Sequence, residues 1–297
     1  MRFKGLTAAV ATPMRADGEL NLEVIGPYAE FLIGRGVSGV FVNGTTGESL
    51  LLDADERKAV AEKWMAYSDR LNILVHVGST CYKTAMDLAA HAQQIGAKAV
   101  SAMGPCFLPP SRPEELVAFN KKVAGMAPET PYYYYHIPSV SGVKVDMRAF
   151  IELAVREIPN FNGIKFTSYD TWEMLDCVKF GGGILDILHG HDETLLSGLE
   201  MGCTGGIGTS YNVTSRLFRK MIRAFEEGDI AGATNLQYEA NKVVALMCKR
   251  VNSVVGVKAM LEIFGIPVGP CRLPVRRLSA EEIRSLEDEL RPFMETL

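Results

Sequence analysis

The sequence predicts an α/β protein folded as a (β/α)8 TIM barrel with a C-terminal helical extension, and three observations carry that prediction. Short apolar β-like runs alternate with longer segments of helical period, and they do so eight times. The first run is not followed by the glycine-rich turn that opens a doubly wound dinucleotide-binding sheet, since Ala11 leads into Thr12, Pro13 and Met14. Beyond the eighth unit the chain reads as helix throughout.

The expected strands cover 6–11, 39–42, 73–77, 99–102, 132–135, 163–166, 184–188 and 203–207. Helical stretches lie between them, including 22–33, 54–67, 84–95, 114–127 and 147–156, several opened by Asp, Ser, Thr or Pro. A helix between two strands carries the chain back across the sheet, so the strands are parallel, and eight such units close into a barrel. The stretch 202–208 is rich in glycine but does not fit G-x-G-x-x-G; it reads as tight backbone around a ligand or at a crowded strand end. Helices are expected at 229–251, 257–264 and 280–294. The chain therefore divides into a catalytic barrel over 1–228 and a helical extension over 229–297 packed on it, with no Pro/Gly/Ser-rich linker between them and no internal repeat.

At 297 residues, 47% hydrophobic and 22% charged, the chain can bury a sizeable core and lacks the bias of disordered sequences. Its 31 basic and 35 acidic side chains give a net charge of -4 with no basic field, so no nucleic-acid partner is implied. The densest basic stretch, Arg216, Arg219, Lys220 and Arg223, sits at helical spacing and reads as a solvated helix face. No apolar run is long enough for a signal-peptide core or a membrane span. The six cysteines, Cys81, Cys106, Cys177, Cys203, Cys248 and Cys271, are scattered without metal-ligand spacing and read as free thiols in a reducing, cytoplasmic setting.

In a barrel, reactive groups gather at the C-terminal strand ends and the loops after them. Four segments fall there. Lys165 lies in the apolar run Gly163-Ile164-Lys165-Phe166. Two readings are open: a lysine that reaches solvent by its own length, or a buried amine whose neutral form attacks a carbonyl. In Tyr132-Tyr133-Tyr134-Tyr135, strand alternation puts Tyr133 and Tyr135 on one face; they are either packing residues or a proton shuttle beside the lysine. His136 reads as a hydrogen-bonding residue at the loop end. In Asn43-Gly44-Thr45-Thr46-Gly47-Glu48-Ser49 the glycines let backbone N–H groups converge on a carboxylate, unless the segment is a simple turn. It holds no P-loop lysine. Finally, the two histidines and two acids of His189-Gly190-His191-Asp192-Glu193 suggest a metal, though adjacent loop residues rarely converge on one ion without a distant third ligand, whereas Asp192 and Glu193 suit several sugar hydroxyls; Asp192 reads equally as the cap of the helix that follows.

Taken together, the segments Gly44 to Glu48, Tyr135 to Pro138, Gly163 to Lys165, Gly190 to Glu193 and Gly206 to Asn212 resemble those of the N-acetylneuraminate lyases, a branch of the dihydrodipicolinate synthase superfamily of Schiff-base aldolases. The resemblance spans nearly the whole chain and keeps five signatures in order. It implies cleavage of N-acetylneuraminate, a sialic acid, to N-acetylmannosamine and pyruvate. It casts Lys165 as the Schiff-base nucleophile and Tyr135 as the acid/base at the cleaved bond. Thr45 and Thr46 would hold the pyruvyl carboxylate, while Thr167, Gly190, Asp192, Glu193 and Thr209 would contact the sugar-derived part, with Thr209 where bacterial relatives carry serine. It further implies a covalent imine with no metal or organic cofactor, and a homotetramer.

The synthase branch places an arginine shortly after its Tyr-x-x-Pro segment, where this chain reads Ser139-Val140-Ser141-Gly142-Val143-Lys144. It also relays protons through a tyrosine of the neighbouring subunit, where this chain has Cys106-Phe107-Leu108, so that relay is absent or rebuilt. Two alternatives stay open: another pyruvate-dependent aldolase or synthase acting on a sugar acid or semialdehyde, and a barrel that binds without catalysing.

Overall fold

A computed structural model describes residues 2–297. Eight parallel strands, β1 (Gly5–Ala9), β2 (Gly39–Val42), β3 (Asn72–His76), β4 (Ala99–Met103), β5 (Tyr132–His136), β6 (Phe161–Phe166), β7 (Asp186–His189) and β8 (Gly205–Gly208), pair in sequence order, and β8 closes on β1. The helices are α1 (Ile25–Gly34), α2 (Ala54–Met65), α3 (Tyr82–Gln94), α4 (Pro113–Ala124), the single turn α5 (Pro138–Ser141), α6 (Met147–Glu157), α7 (Thr171–Lys179), α8 (Leu195–Met201) and α9 (Tyr211–Glu226). Then come α10 (Ile230–Cys248), α11 (Ser253–Ile263) and α12 (Ala280–Leu290). The fold class matches the expectation from sequence.

Element boundaries differ for local reasons. β1 begins at Gly5, and Val10 and Ala11 lie beyond it, the Ala11 N–H donating to the Tyr28 hydroxyl instead of a strand neighbour. β7 starts at Asp186 because Ile184 is still exposed in the preceding turn. The expected helix at 22–33 is a 3-10 turn, Leu22–Val24, running into α1. Start signals act where a carboxylate or hydroxyl meets an orphan N–H group: Asp53 and Glu56 form a capping box on α2, Ser279 and Glu282 another on α12, and Asp146, Asp170 and Asp229 cap α6, α7 and α10. The basic residues of α9 are exposed while Leu217, Phe218 and Met221 on its other face are buried. All six cysteines are free.

Strand alternation sorts the core into two parts. Val40, Val42, Val75, Val100, Ala102, Ile164 and Ile187 point outward to the helices, while Phe41, Leu74, Ala99, Met103, Tyr133, Tyr135, Leu188 and Ile207 fill the barrel. Glycine is required where the packing is closest: a Cβ on Gly163 would overlap the Asp186 carbonyl, and one on Gly208 would overlap the Asp192 carboxylate. The glycines of 202–208 are thus a crowded strand end, with Gly205 against the Gly5 backbone.

Candidate active site

The inward alternation of β5 and β6 brings the first two candidates together. Tyr135 and Lys165 are directly paired in register. Lys165 is 4% exposed, and its Nζ lies 4.0 Å from the centre of the Tyr135 ring and 4.2 Å from that of Phe41. Among the described residues no carboxylate lies within ion-pair distance of this amine. The lysine therefore ends in the barrel mouth instead of reaching out to solvent. Tyr135 is wedged edge-on against Phe41 and His76, with its hydroxyl 3.4 Å from the Thr45 hydroxyl.

His76 fixes this wall. Its Nδ1 faces the Asn43 carbonyl at 2.9 Å and its Nε2 accepts the Met103 N–H at 3.2 Å, a pairing that requires a neutral ring with the proton on Nδ1. Burial, followed by the nearby Arg57 charge, holds its pKa well below the usual histidine range.

The loop after β2 is set by unusual backbone. Asn43 and Glu48, with φ of 58° and 57°, are the non-glycine residues in the left-handed region among those described, and each such conformation stores about 1 kcal/mol or more. They bracket Thr45, which is exposed, and Thr46, whose hydroxyl is 2.7 Å from that of Thr209 on the opposite side of the mouth.

The loops after β6 and β7 supply the rest. Thr167 is held by its N–H donating to the His136 carbonyl at 2.8 Å, yet its buried hydroxyl has no partner. Gly190 passes so close that a Cβ there would overlap that hydroxyl. Asp192 is 6% exposed and accepts the Ser210 N–H at 2.6 Å. Burial pushes its pKa up to about 6. Ser210 is the N-cap residue of α9, so Asp192 caps the helix after β8, and not the turn Asp192–Thr194 that follows it in sequence. Glu193 accepts the Tyr169 hydroxyl, which raises that phenol to about 12, and its carboxylate is 3.6 Å from Nδ1 of His191. His191 stacks on Tyr169 with ring centres 4.0 Å apart.

One cavity of about 250 Å³ is lined by Lys165, Tyr135, Thr45, Thr46, Thr167, Gly190, Asp192, Glu193 and Thr209. All nine candidates thus share one space. His136 does not: it ends β5, turns outward against Phe166, and lies 3.5 Å from Glu173. The two histidines after β7 diverge, His189 facing Thr194 and Met174 while His191 faces Tyr169. Among the described residues no group of three or more His, Cys, Asp or Glu comes together as a metal site. Sequence reasoning missed Val244, Met247 and Cys248 of α10 and Ser253 and Val254 of α11, which close one side of the cavity. Their i, i+3, i+4 spacing marks a helix face but not what it meets. Phe107 and Leu108, after β4, are exposed and do not line the cavity.

Fold and cavity together define a (β/α)8 barrel whose cavity, at the C-terminal ends of the strands, is lined among the described residues by one lysine, the buried Lys165. The sequence matches the Dihydrodipicolinate synthetase family over residues 2–292, and the chain belongs to that family. It is 39% identical over 295 residues to the N-acetylneuraminate lyase of Homo sapiens, covering 98% of this chain and 92% of that one. Its fold superposes with a TM-score of 0.96 on the N-acetylneuraminate lyase of Proteus mirabilis, at 35% identity and full coverage of both chains. The corresponding enzyme of Aliivibrio salmonicida gives 0.95 at 34% identity, covering 100% of this chain and 98% of that one.

Proposed function

We propose that this protein is a carbon–carbon lyase that splits N-acetylneuraminate into N-acetylmannosamine and pyruvate through an imine on Lys165. The observation that carries the reading is the Lys165 amine itself, buried without a carboxylate partner, with Tyr135 beside it and seven further polar or glycine positions around one cavity. Similarity to two N-acetylneuraminate lyases, at 39% and 35% identity, supports the substrate.

The chemistry follows from the side chains. The neutral Lys165 amine adds to C2 of the open-chain keto acid, and loss of water leaves a cationic imine that acts as an electron sink. Tyr135, having given its own proton to the hydroxyl that left as water, takes the proton of the C4 hydroxyl, the C3–C4 bond breaks with its electron pair passing into the imine, and the aldehyde of N-acetylmannosamine departs. The enamine that remains is protonated at C3, and water releases pyruvate and the free amine. General acid/base help of this kind is worth roughly 10²-fold to 10⁴-fold. Thr45 and Thr46 hold the carboxylate next to C2. Thr167, Gly190, Asp192, Glu193 and Thr209 face the polyhydroxylated chain, where the unpartnered Thr167 hydroxyl is ready to bond a ligand. The imine supplies the electron sink that a metal provides in other aldolases, so the reaction runs without a metal or organic cofactor.

The same reading carries a cytoplasmic homotetramer acting on small molecules. Among the described residues no helix is long and apolar enough to cross a membrane. Light scattering tests the assembly. The function is tested by incubating the protein with N-acetylneuraminate and assaying both products: equimolar pyruvate and N-acetylmannosamine are expected, and pyruvate release from other sugar acids but not from this one would overturn the substrate.

A further inference from the structure

The loop that presents Thr45 and Thr46 is tied to the C-terminal helices by a buried ion pair. Lys258 of α11 and Glu48 are both nearly inaccessible, with Nζ 2.6 Å from Oε1. Lys258 also donates to the Pro270 carbonyl at 2.7 Å, and Oε2 of Glu48 accepts the Arg272 N–H at 2.7 Å. Arg272 is itself clamped to Glu56 near the start of α2, at 2.6 and 2.7 Å. From Glu48 the path to the site is short, because its own N–H donates to the Thr45 carbonyl at 3.0 Å, closing the turn that carries both threonines.

Two features make this more than packing. A buried ion pair contributes little net stability compared with a well-packed apolar pair of the same shape, so stability alone gives no reason to keep one. And Glu48 is, among the described residues, one of the two non-glycine residues held in the left-handed region, a conformation that persists only where the surroundings enforce it. The carboxylate is fixed from two sides, by Lys258 and by the Arg272 N–H, and the strained backbone it belongs to begins three residues after Thr45.

We infer that Glu48 and Lys258 are positioning residues for the carboxylate-binding threonines, so that α11 sets the geometry of the barrel mouth. This rests on the assignment of Thr45 and Thr46 to the substrate carboxylate. Neither residue lines the Lys165 cavity, and both act through the turn.

The test is the pyruvate concentration that gives half-maximal inactivation by borohydride, measured well below the melting temperature for the parent, Glu48→Gln, and the double variant Glu48→Gln with Lys258→Met. Glu48→Gln keeps the shape and one oxygen to accept the Arg272 N–H, removes the charge, and turns an NH2 donor toward Lys258 in place of the second oxygen. The double variant leaves no unpaired charge, so it folds with a melting temperature near the parent's. Both are expected to need about 10-fold to 100-fold more pyruvate, the range that small misplacements of binding groups produce, while still labelling at Lys165 when saturated. A purely structural role would leave the half-saturating concentration unchanged, and an unchanged concentration in either variant, whatever its melting temperature, would overturn the inference. A parent that pyruvate and borohydride do not label would refute the function itself, and the inference with it.

Discussion

The two ends of the barrel interior use the same residue types to opposite effect. At the floor, Asp186 accepts from the Phe3 N–H at 2.9 Å, from the Tyr133 hydroxyl at 2.8 Å and from the Thr204 hydroxyl, and Tyr133 in turn accepts from Asn162 at 2.6 Å. The acceptors are all supplied with donors from the chain, and burial with the Asp186 charge pushes the Tyr133 phenol far up. At the mouth, two residues further along the same face, the Tyr135 hydroxyl makes only a long 3.4 Å contact with that of Thr45, and among the described residues Lys165 has no carboxylate within ion-pair distance and the Thr167 hydroxyl has no partner. Polar groups whose partners lie within the chain hold the fold. Under the proposed function, those left open are the ones that meet the ligand.

Exchanging the hydroxyl for hydrogen at each end is the sharpest way to break that comparison. Tyr135→Phe should slow cleavage of N-acetylneuraminate by about 10²-fold to 10⁴-fold while pyruvate trapping and melting temperature stay near the parent's. Tyr133→Phe should do the reverse, leaving kcat within a small factor and lowering stability by about 1 to 3 kcal/mol, because Asp186 loses a buried donor. Urea unfolding and steady-state kinetics on both variants decide it. If Tyr133→Phe carries the kinetic defect, floor and mouth have been assigned the wrong way round.

The sugar side of the mouth should respond less strongly. Glu193→Ala is expected to lower kcat/KM for N-acetylneuraminate by about 10-fold to 10³-fold, or roughly 1 to 4 kcal/mol, and to leave borohydride trapping with pyruvate intact. Parent-like cleavage by this variant would move the substrate toward a different sugar acid.

Smallest in magnitude is a pH effect. Asp192 has a folded pKa near 6, above its ordinary value, so between about pH 4 and pH 6 the folded state keeps a proton that the unfolded state gives up. Ionising it therefore costs stability as pH rises through that window, and the cost is constant above it. Under the proposed function the ionised form accepts substrate hydroxyls, so kcat/KM should fall as pH drops below about 6. Asp192→Asn should flatten that acid limb, and a pH profile that keeps its shape would show that another group titrates there.

Much of this was legible in the sequence, for identifiable reasons. Fully buried parallel strands leave continuous apolar runs such as 39–42 and 73–75, and these register clearly. Strand ends register poorly, because the apolar Ile184 looks like strand but is exposed in a turn. At the site, the inward pairing of Tyr135 with Lys165 follows from period-two alternation. The partners of Asp192 do not, since Ser210 lies eighteen residues away and is brought near only by closure of the barrel. The same holds for Tyr169 against Glu193, and for the α10 and α11 residues over the cavity, whose helical spacing carries no information about what they cover.

In the proposed function, one amine at the mouth carries the chemistry. Incubating the protein with pyruvate, reducing with borohydride and mapping the peptides by mass spectrometry tests it directly. A single three-carbon acid adduct is expected on Lys165, absent from a folded Lys165→Ala variant that also shows no turnover. An adduct on any other lysine, or turnover surviving in Lys165→Ala, would contradict it.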